Sequence, residues 1–311
     1  MFSVTAHDLI KDQEYSEEFD HVVVATGHFS TANTPYFDGI ETFKGRLLHA
    51  HDLRDTQEFK DKDILLIGSS FSGKDIAVQC WKYGCKSVII SYETEPTGFK
   101  WPDNIREKPL LQKVDKYTCV FKDGSTADVD AIIMCTGYLH HFPFMEDKLK
   151  LRATNRLAVV NLYKGVVWVD NPKLFYLGMQ DQAYTFTMFD AQAWYVRDII
   201  MGRINVPECD VRVADVKERI AREDESHGRR HARVRSQTDY VKELIDSTDY
   251  PNFDVEGICQ LFHQVFATAR NDFTTYRNNC YKSVITDTMS LMNHTHWKDD
   301  FDDSVEGYLR N

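Results

Sequence analysis

No stretch of the sequence approaches the roughly 18 consecutive apolar residues that a membrane-spanning helix needs. The opening residues, MFSVTAHDLIKDQEY, lack the basic and apolar regions of a secretory leader. A surplus of positive charge is missing too. Lys and Arg number 37 against 48 Asp and Glu, a net charge of −11 that argues against nucleic acid or an anionic membrane as partner. The one basic run, GRRHARVR at Gly228–Arg235, follows the acidic REDES at Arg222–Ser226 and reads as a solvated helix face or loop. There is no C-x-x-C among the seven cysteines (Cys80, Cys85, Cys119, Cys135, Cys209, Cys259, Cys280), which are odd in number and scattered. A disulfide framework and a zinc site are therefore not expected, and a reducing cytoplasm is. No G-x-S-x-G elbow supports a nucleophilic triad. The histidine groups His49-Ala50-His51, His140-His141 and His294-x-His296 have no carboxylate at ligand spacing, so no metal is expected. Repeats and low-complexity linkers are also lacking.

What is present is a globular composition, 42% hydrophobic and 13% aromatic, with alternating strand and helix signals in the first third. Phe19–Ala25 and Asp63–Ile67 read as buried strands, Phe71–Tyr83 as a helix and Ser87–Tyr92 as the next strand. In that helix Ala77, Cys80 and Trp81 share a face, and Gly84 suits the position after its end. Strand, helix and strand within about 30 residues predict a right-handed βαβ unit with parallel strands. Tyr117–Phe121 and Ala127–Asp130 flank an Asp-Gly hairpin turn. Ala131–Cys135 is another apolar strand, and Val166–Asp170 and Leu174–Leu177 are short ones. The later chain reads as helical over Met188–Met201, Val211–Glu225, Thr238–Asp246 and Val255–Ala269.

Between the second strand and the first helix stands Gly68-Ser69-Ser70-Phe71-Ser72-Gly73, a G-x-S-x-x-G spacing. In a dinucleotide fingerprint the first glycine allows the tight turn, the second the approach of the pyrophosphate, and the third the packing of helix on strand. Ser70 stands at the second glycine. The pyrophosphate would rest on Gly68, Ser69, Ser70, Ser72 and Gly73, at the helix N-terminus. Glu93, followed by Thr94, lies 25 positions after Gly68, where an acid hydrogen-bonds the ribose 2′-hydroxyl and repels a 2′-phosphate. That reading favours NADH over NADPH; an exposed Glu pointing away fits the same sequence. Ala25-Thr26-Gly27 and Cys135-Thr136-Gly137 close two apolar strands in the same way, placing Thr136 as a cofactor-side residue.

Taken together, these residues resemble the flavin-containing monooxygenases, and within them the bacterial trimethylamine monooxygenase type. Phe43-x-Gly45-x-x-x-His49 matches the family's F-x-G-x-x-x-H motif. VVVATGH (Val22–His28), GSSFSGKDI, GFKWP (Gly98–Pro102), CTGYLHHFPF (Cys135–Phe144), GMQDQAYTFTMFDAQAW (Gly178–Trp194) and the tail HTHWKDDFDDSVEGYL look like the same group. The resemblance implies an α/β flavoprotein with two dinucleotide-binding domains. Residues 1–33 would be a partial FAD domain, 34–138 a Rossmann-like NAD(P)H domain, and 139–311 the rest of the FAD domain with a helical C-terminal part. It implies a cytoplasmic homodimer that uses NADPH and O2 to N-oxygenate small amines such as trimethylamine, through a C4a-hydroperoxyflavin. Gln182 and Thr185 match flavin contacts, Phe71 a residue beside the nicotinamide, and Asp181 the lining of the reaction pocket.

The departures from the family shape further expectations. The G-x-G-x-x-G turn for the FAD pyrophosphate has no counterpart in these residues, which implies truncation on the N-terminal side and poor FAD retention. Glu93 takes the place of an Arg that would bind the 2′-phosphate; Lys282 is the candidate replacement. Phe71 replaces a Tyr, and Leu53 an aromatic residue. The alternative is a non-catalytic nucleotide-binding fragment or decoy partner of an intact homologue. A flavin-dependent disulfide reductase would need a redox cysteine pair, and Cys80 and Cys85 lie in or at the end of the cofactor helix.

Overall fold

The computed structural model describes residues 1–152, 156–182, 184–225, 230–284 and 286–289. The tail resembling HTHWKDDFDDSVEGYL and the pair His294-x-His296 lie outside the described residues. The chain folds into two compact units, one from 1–31 with 139–263, the other from 32–138 with 264–289.

The first unit begins with strands β1 (Phe2–Asp8) and β2 (Gln13–Phe19), an antiparallel ribbon in which Phe2 faces Phe19 and Ala6 faces Tyr15. The Asp8 carboxylate caps its turn by accepting from the Ile10 and Lys11 amides. The expected single strand Phe19–Ala25 is thus divided: Phe19 closes β2, and β3 is Val22–Val24. The reason is the hairpin partner, which supplies backbone hydrogen bonds to a segment whose polar side chains do not announce a strand.

The second unit carries β4 (Arg46–His49), β5 (Asp63–Ile67), α1 (Phe71–Lys82), β6 (Ser87–Tyr92), β7 (Ile105–Pro109), β8 (Leu111–Asp115), β9 (Thr118–Phe121), β10 (Thr126–Asp128) and β11 (Ala131–Met134). Five of these form a wholly parallel sheet in the order β4-β11-β5-β6-β7. Its inner strands β5, β6 and β11 are buried on both faces, which is why DILLI and AIIM read as continuous apolar runs. Ile64, Leu66, Val88, Ile90, Ala131 and Ile133 pack on Ala77 and Cys80 of α1. Leu65, Ile67, Ile89 and Ile132 face the opposite way, onto Leu111, Val114, Cys119 and Phe121 of the antiparallel sheet β10-β9-β8. The βαβ unit β5-α1-β6 is as expected, and the Asp-Gly hairpin joins β9 to β10 with Gly124 at φ 77°. Gly84 ends α1 at φ 82°: its amide bonds Trp81 O and the Cys85 amide bonds Cys80 O, the two bonds of a Schellman cap.

Returning to the first unit, the chain adds β12 (Leu162–Tyr163), β13 (Val167–Trp168), β14 (Leu174–Tyr176), α2 (Thr185–Ile200), α3 (Cys209–Glu225) and α4 (Arg230–Asp246). The sheet order is β12-β13-β14-β3, with β14 and β3 parallel. Helix α2 starts three residues before the expected Met188. Helix α4 starts at Arg230 rather than Thr238, so the described part of the basic run is helical. Arg235 there pairs with Asp239 and Glu256, and such i,i+4 pairing is what lets a charged stretch continue a helix. Helix α5 (Val255–Asn271) begins in the first unit and ends in the second.

Candidate nucleotide and flavin sites

The turn after β5 is built around two glycines that touch. Gly68 has φ 114°, and a Cβ there would lie 2.4 Å from the Cys135 carbonyl oxygen at the end of β11. A Cβ on Gly73, in the first turn of α1, would lie 2.0 Å from the Gly68 carbonyl oxygen. Helix, turn and neighbouring strand therefore meet at backbone contact, the geometry the first and third glycines of the fingerprint provide. The Gly68 amide is spent on Ser91 O of β6 (2.9 Å). Ser70 caps α1 with extended backbone, but its side chain makes no cap hydrogen bond. The leading amides of α1 take no cap from the Ser70 side chain, and the positive end of the helix dipole lies behind them. Ser69 is half-buried; Ser70, Phe71 and Ser72 are exposed, so the rim of the turn is open to a ligand.

The F-x-G-x-x-x-H motif has a physical account. A Cβ on Gly45 would meet the Asp130 carbonyl oxygen at 2.1 Å and Phe43 Cζ at 2.6 Å, so only glycine lets the chain enter β4 beside β11. His49 ends β4, buried; its Nδ1 accepts from the His51 amide (3.0 Å), and its ring stands edge-on to Tyr138 at 5.3 Å. Burial lowers the His49 pKa, against the opposing pull of the Gly137 carbonyl. Thr136 is engaged at this edge: its hydroxyl donates to Asn33 O (2.5 Å), and its carbonyl accepts from Asn33 Nδ2 (3.1 Å). The hydroxyl therefore holds residue 33 against the strand end.

Glu93 and Thr94 follow β6 and are exposed, which leaves the carboxylate reachable. Lys282 pairs with Asp287 (2.6 Å) and bridges through its backbone to Met289. Phe71 is 39% exposed, its ring 6.4 Å from that of Phe266.

In the other unit, Asp181, Gln182 and Thr185 lie where the chain enters α2. The Asp181 carboxylate is paired with Arg233, its amide bonds Arg156 O, and its carbonyl accepts from Gln237 Nε2 at 2.7 Å. Burial raises its pKa, and Arg233 opposes the rise. Gln182 Nε2 donates back to Gly178 O (3.1 Å), while Thr185, the first residue of α2, is exposed. Beneath them runs a buried amide relay that sequence reading did not find. Gln192 Oε1 accepts from the Gly178 amide, and its Nε2 reaches Gln180 Oε1 and the Tyr240 hydroxyl. The signal available was the polar Gln192 standing on the apolar face of α2.

The family profile described as FMO-like, flavin-binding monooxygenase-like, matches residues 3–97 and 102–264. The chain belongs to the flavin-binding monooxygenase-like family. Trimethylamine monooxygenase of Roseovarius sp. (strain 217) is 61% identical over 310 residues, covering 100% of this chain and 69% of that protein. Trimethylamine monooxygenase of Methylocella silvestris is 50% identical over 308 residues, covering 99% and 68%. The crystal structure of Tmm from Pelagibacter sp. strain HTCC7211 superposes with TM-score 0.91 at 45% identity, covering 99% of this chain and 70% of that one. The structure of S-allyl-L-cysteine S-oxygenase from Allium sativum superposes with TM-score 0.75 at 25% identity, covering 89% of this chain and 64% of that one.

Proposed function

We propose that the protein is a flavin-dependent monooxygenase that uses a nicotinamide nucleotide and O2 to N-oxygenate trimethylamine and similarly small amines. The observation that carries this reading is the Gly68–Gly73 cradle, a backbone contact that any Cβ would break, inside a chain 61% identical to a trimethylamine monooxygenase. We assign 34–138 to NAD(P)H, and 1–33 with 139–311 to flavin and the helical C-terminal part.

When bound, the nicotinamide supplies a hydride and the flavin activates O2. The residues of this chain do the rest. Amides of Ser69, Ser70, Ser72 and Gly73 receive the pyrophosphate, and Gly68 keeps the backbone close enough for it. Phe71 offers an exposed ring beside the reactive end of the nucleotide. Glu93 and Thr94 meet the adenosine ribose, with Lys282 as the basic group for a 2′-phosphate. Thr136 fixes the strand end against which the cofactor lies. Gln182 and Thr185 sit at the mouth of α2 as flavin contacts. Asp181, neutralised by Arg233, shapes the amine pocket without offering a competing base. Nothing in this set calls for a side-chain nucleophile.

The test is formation of trimethylamine N-oxide, followed by chromatography, by purified protein supplied with flavin and NADPH or NADH. Amine-dependent N-oxide supports the reading, and nucleotide oxidation without N-oxide sinks it. In parallel fluorescence titrations NADPH should bind no better than NADH, because Glu93 repels a 2′-phosphate. A clear NADPH preference would refute that assignment.

A second reading has its own support. The β1–β2 ribbon exposes Val4, Tyr15 and Phe19, a surface suited to a partner. In that reading the chain is a nucleotide-binding partner of a longer homologue. Mixing the two and following their elution by size exclusion tests it.

A further inference from the structure

Helices α3 and α4 and the segment 157–165 line a common cavity of about 180 Å³. On α4, Ser236, Asp239, Tyr240 and Glu243 recur at i, i+3, i+4 and i+7, which puts all four on the helix face that lines it. On α3, Val216, Arg219 and Glu223 share a face in the same way. Leu157, Val159, Leu162 and Val216 give the cavity aliphatic walls. All of these residues belong to the first unit. The volume lies well below the roughly 300–1,000 Å³ of drug-sized pockets, so the occupant is a small molecule.

The charges around it cancel. Arg219 Nε donates to Asp215 at 2.8 Å, and its Nη2 donates to both oxygens of Glu243 at 2.7 and 2.8 Å. Lys164 reaches the same Glu243 at 2.8 Å, so two cations face two carboxylates. Glu223 accepts from the Leu157 and Ala158 amides, and Asp239 is held by Arg235. The Tyr240 hydroxyl donates to Lys164 O and accepts from Gln192. A cation or an anion entering the cavity would give up water without meeting an uncompensated counter-charge. That excludes ammonium ions, phosphate and nucleotides.

Two half-buried donors remain. Among the described residues, neither Arg219 Nη1 nor the Ser236 hydroxyl has a hydrogen-bond partner. A guanidinium nitrogen only donates, so the partner it lacks is an acceptor. The complementary ligand is net neutral, with an alkyl body for the walls and one strongly polarised oxygen for the donors. A tertiary amine oxide has this make-up: alkyl groups, a single N–O dipole, no donor and no net charge.

We propose that this cavity binds small tertiary amine oxides. The oxide oxygen accepts from Arg219 Nη1 and the Ser236 hydroxyl, and the alkyl groups lie against Leu157, Val159, Leu162 and Val216. The ligand class follows from the cavity. The choice of trimethylamine N-oxide rests on the proposed function, of which it is the product, and makes this a product site.

The test uses the full chain without flavin or turnover. Binding is read from line broadening of the ligand's methyl resonance in NMR titrations, and folding from thermal melting. Trimethylamine N-oxide is otherwise excluded from protein surfaces, so a saturable signal reports a site. The parent should bind it in the millimolar range, as expected for so few atoms. Tetramethylammonium has the methyl groups and a charge but no oxygen, and should bind at least about tenfold more weakly. R219K keeps a cation for Asp215 and Glu243 and loses the guanidinium fork; it should weaken oxide binding by about tenfold. S236A should weaken it by about threefold, and S236F, which fills the cavity, should abolish it. A parent with no saturable oxide binding overturns the proposal, as does one that takes tetramethylammonium equally well. Oxide binding unchanged in folded R219K and S236F lies elsewhere on the chain and overturns it too. If R219K does not fold, S236F decides: retained binding overturns the proposal, lost binding supports it. Oxide binding at this cavity in a chain that forms no N-oxide overturns the proposed function alone, and N-oxide formation without binding here overturns this inference alone.

Discussion

At the scale of single residues, the strongest constraints are carbonyl oxygens pressed against glycines. Gly73→Ala puts a methyl 2.0 Å from the Gly68 oxygen, so α1 must lift from the turn. The expected cost is about 1–3 kcal/mol in urea unfolding, with nucleotide binding lost before the fold. Gly68, Gly73 and Gly45 were legible in the sequence because their spacing carries a geometric demand. Thr136 was legible as a position but not as a role, since its bond to Asn33 joins residues far apart in sequence. The ring contacts of the buried Lys74 were not legible, because Phe71, Phe99 and Phe273 come from three separate segments. His49 supplies a pH dependence. Its folded pKa lies below the ordinary 6.5, so as pH falls through that value the unfolded chain takes up a proton that the folded one refuses. Stability should be full above about pH 7 and decline as the pH falls below the ordinary histidine value of 6.5. Melting curves of His49→Gln should show a flatter decline over that range, and equal slopes would refute the assignment.

At the scale of elements, sequence reading succeeded where one element carries its own signal. The doubly buried strands β5, β6 and β11 announce themselves by apolar runs, and α1 by Gly84 at its end. It failed where a strand depends on its partner. Strand β2, QEYSEEF, has exposed side chains throughout, and only its register with β1 makes it a strand. Strands β7 and β8, separated by Leu110 alone, hide their boundary for the same reason. Helix α4 begins early because Arg233 and Arg235 find Asp181, Asp239 and Glu256. The amide relay of α2 is the element-scale test of the first unit. Replacing Gln192 by Met removes the partner of the Gly178 amide and of Gln180 Oε1 in a buried site, while the Tyr240 hydroxyl keeps its bond to Lys164 O. Chemical denaturation should show a loss of about 2 kcal/mol or more, larger than a surface Gln would give. A loss near zero would mean the relay contributes nothing.

At the scale of the whole molecule, family and architecture were legible together, because several motifs in order leave few folds open. The 311 residues contain the G-x-S-x-x-G spacing proposed to hold a pyrophosphate, at Gly68–Gly73, and no G-x-G-x-x-G spacing. Expressed alone, they are expected to purify with flavin well below one per chain, read from the visible spectrum, and stoichiometric yellow protein would refute this. The β1–β2 ribbon bears on handling. One of its faces carries Val4, Tyr15 and Phe19 in the open, Leu9 and Ile10 are exposed at its turn, and each strand has one edge unpaired within its two-stranded sheet. Backbone edges of this kind recruit further strands, and the glutamates of β2 only slow the process. Concentrated solutions should therefore scatter light through lateral growth of ribbons while both units are still folded, and a lysine in place of Tyr15 should keep them clear.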